Sequence, residues 1–259
     1  MSTKVDHFVP FGQETRLAVQ SQVANEGMRN APGVFWLGGF KSSMDGTKAT
    51  ALAAWAADQG LAATRFDYSG HGASDGAFEE GTISAWLAQS TAVFERYTAG
   101  PQIIIGSSMG GWLAMLLYRH LQAQGQSGRV HALVLIAPAA DMSDELMWQK
   151  FPPDIRRTIT DDGVWQRPSA YGDGDYAITK ALIEDGRSHL ILGEVTQMHC
   201  PVRILHGELD PDVPWQHGLR LYDQLAGDDV TFTLIKGGDH RLSSEGEIER
   251  LLKTLSALV

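Results

Sequence analysis

The pentapeptide Gly106-Ser107-Ser108-Met109-Gly110 stands between an apolar run ending in Ile103-Ile104-Ile105 and the stretch Gly111-Trp112-Leu113-Ala114-Met115-Leu116. A short apolar run followed by a longer apolar period reads as a buried strand leading into a buried helix. The chain must therefore pass from strand to helix within a few residues. Glycine at both ends of the pentapeptide permits that turn, and permits a close strand–helix approach that a β-carbon would block. A serine at its centre is lifted above the end of the sheet, where its hydroxyl can meet a carbonyl. Without the flanking strand and helix, the five residues would be only a Gly/Ser-rich turn.

The same rhythm runs through most of the chain. Residues from about 6 to 22 read as two strands, an antiparallel hairpin at a sheet edge. Strands follow near 33–37, 61–68, 101–106 and 129–138, separated by helical periods near 46–59, 82–97 and 110–124. After a break come strands near 202–205 and 230–235, each followed by a helix, near 215–225 and 244–258. Such alternation predicts an α/β fold with a mainly parallel eight-stranded sheet flanked by helices. A chain of 259 residues suits a single domain spanning 1–259.

The break itself covers residues 139–199. It holds short amphipathic pieces, the pair Pro152-Pro153, Pro168 and the turn Tyr171-Gly172-Asp173-Gly174-Asp175. Trp148, Phe151, Trp165, Tyr176 and Leu182 make it too apolar for disorder, and so long an excursion within a compact fold is expected to be functional. It reads as a helical lid inserted after the sixth strand.

A serine hydroxyl is a weak nucleophile near neutral pH and needs a base, which in turn needs an orienting carboxylate. Two strand-end loops offer them. His206-Gly207-Glu208-Leu209-Asp210-Pro211-Asp212-Val213-Pro214 follows the strand near 202, and Gly237-Gly238-Asp239-His240-Arg241 follows the strand near 230. In a parallel sheet the carboxyl ends of the strands share one edge, so these loops and the serine turn can converge. Asp239 is next to His240 in the chain and is poorly placed to face its imidazole. His206 and His71 lack a matching strand-end context and read as structural.

At this point the chain resembles the serine α/β-hydrolases over essentially its whole length. The resemblance implies Ser108 as nucleophile, Asp210 as acid within a Gly-x-x-Asp-x-x-Val-Pro segment, with Asp212 and Asp239 as its local rivals, and His240 as base. It also implies an oxyanion hole formed by the amides of Met109 and Phe40, although this chain has Gly38-Gly39 where many relatives have His-Gly. A serine at the turn excludes the aspartate-nucleophile branches of that fold. Phe66-Asp67-Tyr68-Ser69-Gly70, Gly163-Val164-Trp165, Cys200-Pro201-Val202-Arg203 and Asp239-His240-Arg241 are further similar to a mitochondrial group with protein-depalmitoylase and acyl-glucuronide esterase activity. That likeness implies cleavage of carboxylic esters or thioesters, long-chain acyl thioesters and acyl-glucuronides among them. The substrate is then a small molecule or an acylated protein, with Trp148 and Trp165 as candidate walls of the acyl pocket. A lidded small-molecule carboxylesterase or carbon–carbon bond hydrolase would use the same triad.

Composition narrows the partners. A net charge of −10 disfavours nucleic acid and anionic membrane surfaces. The single cysteine, Cys200, excludes an intramolecular disulfide and reads as a buried thiol. No paired metal-ligand spacing and no phosphate-cradling glycine motif with its ribose acid is present, so neither a metal nor a cofactor is expected. No run approaches the roughly 20 apolar residues of a membrane span, and no signal peptide is visible, which makes a cytoplasmic protein the expectation.

Overall fold

The computed structural model describes residues 4–11, 15–168 and 174–259. Among them, eight strands form one sheet. Its first part comprises β1 (Lys4–Phe11), β2 (Thr15–Gln22), β3 (Gly33–Leu37), helix α1 (Thr47–Asp58) and β4 (Ala63–Phe66). Next come α2 (Ile83–Tyr97), β5 (Gln102–Ser107), α3 (Met109–Ala123) and β6 (Val130–Ile136). The chain later returns with β10 (Val202–Gly207), α6 (Trp215–Gln224), β12 (Val230–Ile235) and α7 (Glu245–Ser256), the numbers between belonging to the insertion and to a short strand after α6. The spatial order is β1-β2-β4-β3-β5-β6-β10-β12. β1 pairs antiparallel with β2 and β2 antiparallel with β4, whereas the strands from β4 to β12 pair in parallel. The eight-stranded, mainly parallel sheet with a hairpin at its edge is the predicted α/β architecture.

Strands buried on both faces send alternate residues to two cores. Phe35, Leu37, Ile104, Leu133, Leu135 and Ile204 pack with Trp86, Trp112 and Tyr118 of α2 and α3. Val34, Trp36, Ile103, Ile105, Val134 and Ile136 pack with Leu52 and Trp55 of α1 and Leu251 and Leu255 of α7. Helix boundaries follow local chemistry. The Thr82 hydroxyl accepts the Ala85 amide at the start of α2, and Ser244 with Glu247 forms a capping box at the start of α7.

Between β6 and β10 the chain builds a layer of short pieces. It contains a wide helical turn over Met142–Trp148, then α4 (Pro153–Asp162), β7 (Val164–Arg167), β8 (Tyr176–Thr179), α5 (Lys180–Gly186) and β9 (Thr196–Gln197), which pairs with β11 (Leu225–Ala226). Proline in the first turn of α4 and Gly163 beyond its end, at φ +81°, set that helix's limits. The expected helices are present. In addition, β7 and β8 pair as an antiparallel hairpin, which a four-residue strand cannot announce because it shows too few alternations to establish a period of two. Most of the Tyr171–Asp175 turn lies outside the described residues.

Candidate active site

The turn between β5 and α3 is built by exclusion. A β-carbon on Gly106 would collide with the Gly110 carbonyl, and one on Gly110 would collide with the carbonyls of Leu37 and Gly38. The strand and helix can therefore approach only as glycines. Ser108, between them, is forced to φ +55° and ψ −118°, a region that non-glycine residues rarely occupy and that is strained for serine. Strain of this kind is held by its surroundings: the Ser108 amide donates to the Ile136 carbonyl at 2.8 Å, and its carbonyl accepts from Gly111 and Ala139. Ser107, the last residue of β5, is buried, whereas Ser108 is only half-buried.

Two other strand-end loops reach this serine. His240 Nε2 lies 3.0 Å from Ser108 Oγ, and His240 Nδ1 lies 2.7 Å from Asp210 Oδ2. With Nδ1–H donating to the carboxylate, Nε2 is left to accept the serine proton. The second carboxylate oxygen, Oδ1, accepts the amides of Asp212 and Val213 at 2.9 and 2.8 Å. Burial alone would raise the Asp210 carboxyl, but the imidazoles of His206 and His240 and the Val213 amide outweigh it and hold it at about 2. The Asp210 carboxyl is thus ionised throughout the neutral range. Asp212 contributes its amide to Asp210, and Asp239 turns its carboxylate onto the amides of Arg241 and Leu242, so it shapes the loop that carries His240. Lys48 on α1 donates to the Arg241 carbonyl from beneath that loop; burial lowers its ammonium to about 8.

The Met109 amide opens α3, where helix amides lack carbonyl partners and the dipole favours negative charge. The loop after β3 comes equally close. A β-carbon on Gly39 would lie 3.2 Å from the Ser107 carbonyl and 3.4 Å from Ser108 Cβ, so bare backbone faces the serine. Phe40 follows at once, its ring edge-on to Phe78, Trp86 and Tyr176 at 4.8, 5.9 and 5.8 Å. Trp148 and Trp165 make their ring contacts within the insertion. The guanidinium groups of Arg156 and Arg187 lie over the Trp148 ring at 5.7 and 5.2 Å from its centroid, and Trp165 packs edge-on to Phe151 at 5.2 Å. Both half-buried rings rest on the core that α2 and α3 share with the insertion.

His206, read from the sequence as structural, is a neighbour of the site. His206 is fully buried at the end of β10, its Nε2 2.8 Å from the Val213 carbonyl and 3.6 Å from Asp210 Oδ2. It ties down the loop that carries Asp210. Gly218 makes room for it, since a β-carbon there would strike the imidazole. Its position near the end of β10, four residues before Asp210, brings it to that loop. Asp210, Asp212 and His240 also lie near enough together to share a cation, but the geometry above already commits Asp210 and His240 to each other.

A mainly parallel sheet with a strained serine at one strand end defines an α/β-hydrolase, and residues 31–250 match the Alpha/beta hydrolase family. The chain belongs to that family and is a hydrolytic enzyme. It is 35% identical over 230 residues to the human palmitoyl-protein thioesterase ABHD10, mitochondrial, covering 88% of this chain and 73% of that protein. Among solved structures, a putative hydrolase from Agrobacterium vitis S4 superposes with a TM-score of 0.93 at 39% identity, covering 100% of this chain and 99% of that one. Alpha/beta hydrolase domain-containing protein 10 from mouse superposes with a TM-score of 0.85 at 34% identity, covering 98% of each chain. Among the described residues no helix is long and apolar enough to cross a membrane.

Proposed function

We propose that the protein is a serine hydrolase of carboxylic esters and thioesters that works through an acyl-enzyme on Ser108. The observation that carries this reading is the continuous relay from Ser108 Oγ to His240 Nε2, and from His240 Nδ1 to Asp210 Oδ2. Ser108 Oγ attacks the acyl carbon while its proton passes to His240 Nε2. The amides of Met109 and Phe40 hold the oxygen that becomes negative; one such donor contributes on the order of 10²–10³ in rate. Collapse breaks the carbon–sulfur or carbon–oxygen bond, and His240 Nε2–H protonates the leaving thiolate or alkoxide. Water, deprotonated by His240, then attacks the acyl-serine and releases the carboxylic acid with Ser108 restored.

The insertion, residues 139–199, serves in this reading as the lid over the acyl group. Its aromatic and aliphatic side chains suit an apolar acyl chain, for which each buried methylene contributes about 0.8 kcal/mol. The similarity to a palmitoyl-protein thioesterase supports a thioester with such a chain as the substrate class. The test is hydrolysis of p-nitrophenyl esters and acyl-CoA thioesters across acyl lengths, with wild type and Ser108→Ala compared. The expected loss in Ser108→Ala is at least about 10³-fold in kcat, and equal turnover by both proteins would overturn the assignment. A rate that rises with chain length supports the long-chain substrate, and a short-chain optimum overturns that part of the reading.

A further inference from the structure

The loop after β4 does more than connect β4 to α2. Three of its side chains reach across to the loop after β3, at three successive points around Phe40. Tyr68 Oη donates to the Gly38 carbonyl at 3.3 Å, His71 Nε2 lies 3.1 Å from the Lys41 amide, and Asp67 Oδ1 accepts the Met44 amide at 2.6 Å. Only the His71 contact falls on the peptide that immediately follows Phe40.

The direction of the His71 contact is unambiguous. A backbone N–H is always a donor, so Nε2 must be the bare nitrogen and the ring proton must sit on Nδ1. Nδ1 indeed lies 3.1 Å from the Ser69 carbonyl, which accepts that proton. The ring is 4% exposed and enclosed edge-on by Tyr68, Phe78 and Trp86 at 5.5, 5.2 and 5.2 Å. It therefore has little freedom to rotate or to exchange its tautomer. Burial also presses its pKa from 6.5 to about 4, which keeps the acceptor available at neutral pH.

What the acceptor holds is an unusual turn. Lys41 sits at φ +58°, in the left-handed region that a residue with a β-carbon seldom enters. A hydrogen bond at the Lys41 amide holds the Phe40–Lys41 peptide and so constrains φ and ψ of Phe40, which link that peptide to the one carrying the Phe40 N–H. We propose that His71 is a positioning residue for the oxyanion hole: by accepting the Lys41 amide at Nε2 it aims the Phe40 N–H at the substrate carbonyl oxygen. The inference rests on the serine-hydrolase reading above, and it puts a buried histidine from a different strand-end loop behind the reaction.

The experiment compares wild type, Ser108→Ala, His71→Asn and His71→Gln on p-nitrophenyl butyrate. Turnover is normalised to the serine titrated by a fluorophosphonate probe, and thermal unfolding is followed in parallel. Glutamine can present an oxygen near the Nε2 position, whereas asparagine reaches only the Nδ1 side and leaves the Lys41 amide unmatched. His71→Asn is expected to lower kcat by roughly 10–100-fold with KM within about twofold, a part of what a lost oxyanion donor costs. His71→Gln is expected to recover most of that loss although its unfolding midpoint also drops. Equal kcat in wild type and His71→Asn, or equal losses in His71→Asn and His71→Gln, would overturn the inference alone. A wild-type protein that neither turns over the ester nor takes the probe on Ser108 would overturn the serine-hydrolase reading, and this inference with it.

Discussion

The strand-end edge that carries Ser108, Asp210 and His240 and the insertion that packs above it are held in opposite ways. At the strand ends, position is enforced by backbone. Glycines at 106 and 110 leave no room for another geometry, and amides of Asp212, Val213, Arg241 and Leu242 fix the two acidic loops. The insertion is instead fastened by side chains at separate points. Asp141 receives the amides of Ile191 and Leu192 at 2.8 and 3.0 Å, so one carboxylate joins both ends of the excursion. Trp112 Nε1 donates to the His189 carbonyl, Tyr118 Oη donates to the Gln197 carbonyl, and Asp185 caps the start of α2 by accepting the Ser84 amide. A geometry enforced by backbone tolerates little change, whereas one made of side-chain fasteners can be refitted while the sheet beneath stays the same. Under the function proposed above, reaction chemistry falls to the first and substrate choice to the second.

The sharpest way to break the comparison is at Asp210. Asp210→Asn keeps the shape but presents an NH₂ or a neutral oxygen to His240 and disturbs its tautomer; kcat is expected to fall by about 10²–10⁴ with a nearly unchanged fold. Steady-state kinetics beside circular dichroism checks this, and full activity in the variant would show that His240 needs no carboxylate. A smaller effect is expected at Asp141. Asp141→Asn turns a donor toward one of two buried amides and is expected to cost about 1–3 kcal/mol in unfolding free energy. Hydrogen exchange should rise across residues 142–190 and stay low in β5 and α3; a uniform rise would mean that insertion and sheet open as one unit.

Acid separates the regions more gently. Burial depresses His71 to about 4 and also lowers His217, whose Nε2 lies 2.7 Å from the Ala140 carbonyl at the root of the insertion. For a histidine depressed in the folded state, the unfolded chain binds the proton first. The stability it contributes is therefore complete above its ordinary 6.5 and is lost as pH falls toward about 4. The unfolding midpoint of wild type is expected to drop over that window by on the order of 5 °C more than that of His71→Gln. Parallel curves would show that His71 is not the group taking up the proton.

Much of this molecule is legible in its sequence. The Ile103-Ile104-Ile105 run, the pentapeptide after it and the helix beyond carry strand, turn and helix in adjacent residues, where local sterics decide the outcome. Strand ends 100 and more residues away were placed because a parallel sheet puts all of them on one edge. The hairpin of β7 and β8 was not legible, since each strand is four residues long and its partner lies beyond a turn. His206 and His71 were legible as structural residues, but the groups they hold were not. A buried histidine is marked by what it touches, and Val213 and Lys41 are brought to these rings only by folding.

The sequence by itself determined the layered α/β plan, the serine at the strand–helix turn and the chain order of serine, acid and histidine, because each rests on local sterics or on a periodicity of 2 or 3.6 residues. Asp210 was already singled out in the sequence, but only tertiary structure brings its Oδ2 to 2.7 Å from His240 Nδ1. Tertiary structure also decided that Trp148 and Trp165 anchor the insertion to the core, and that His71 grips the turn beside Phe40. Those choices depend on distances across the sheet edge, which arise only when loops far apart in the chain meet.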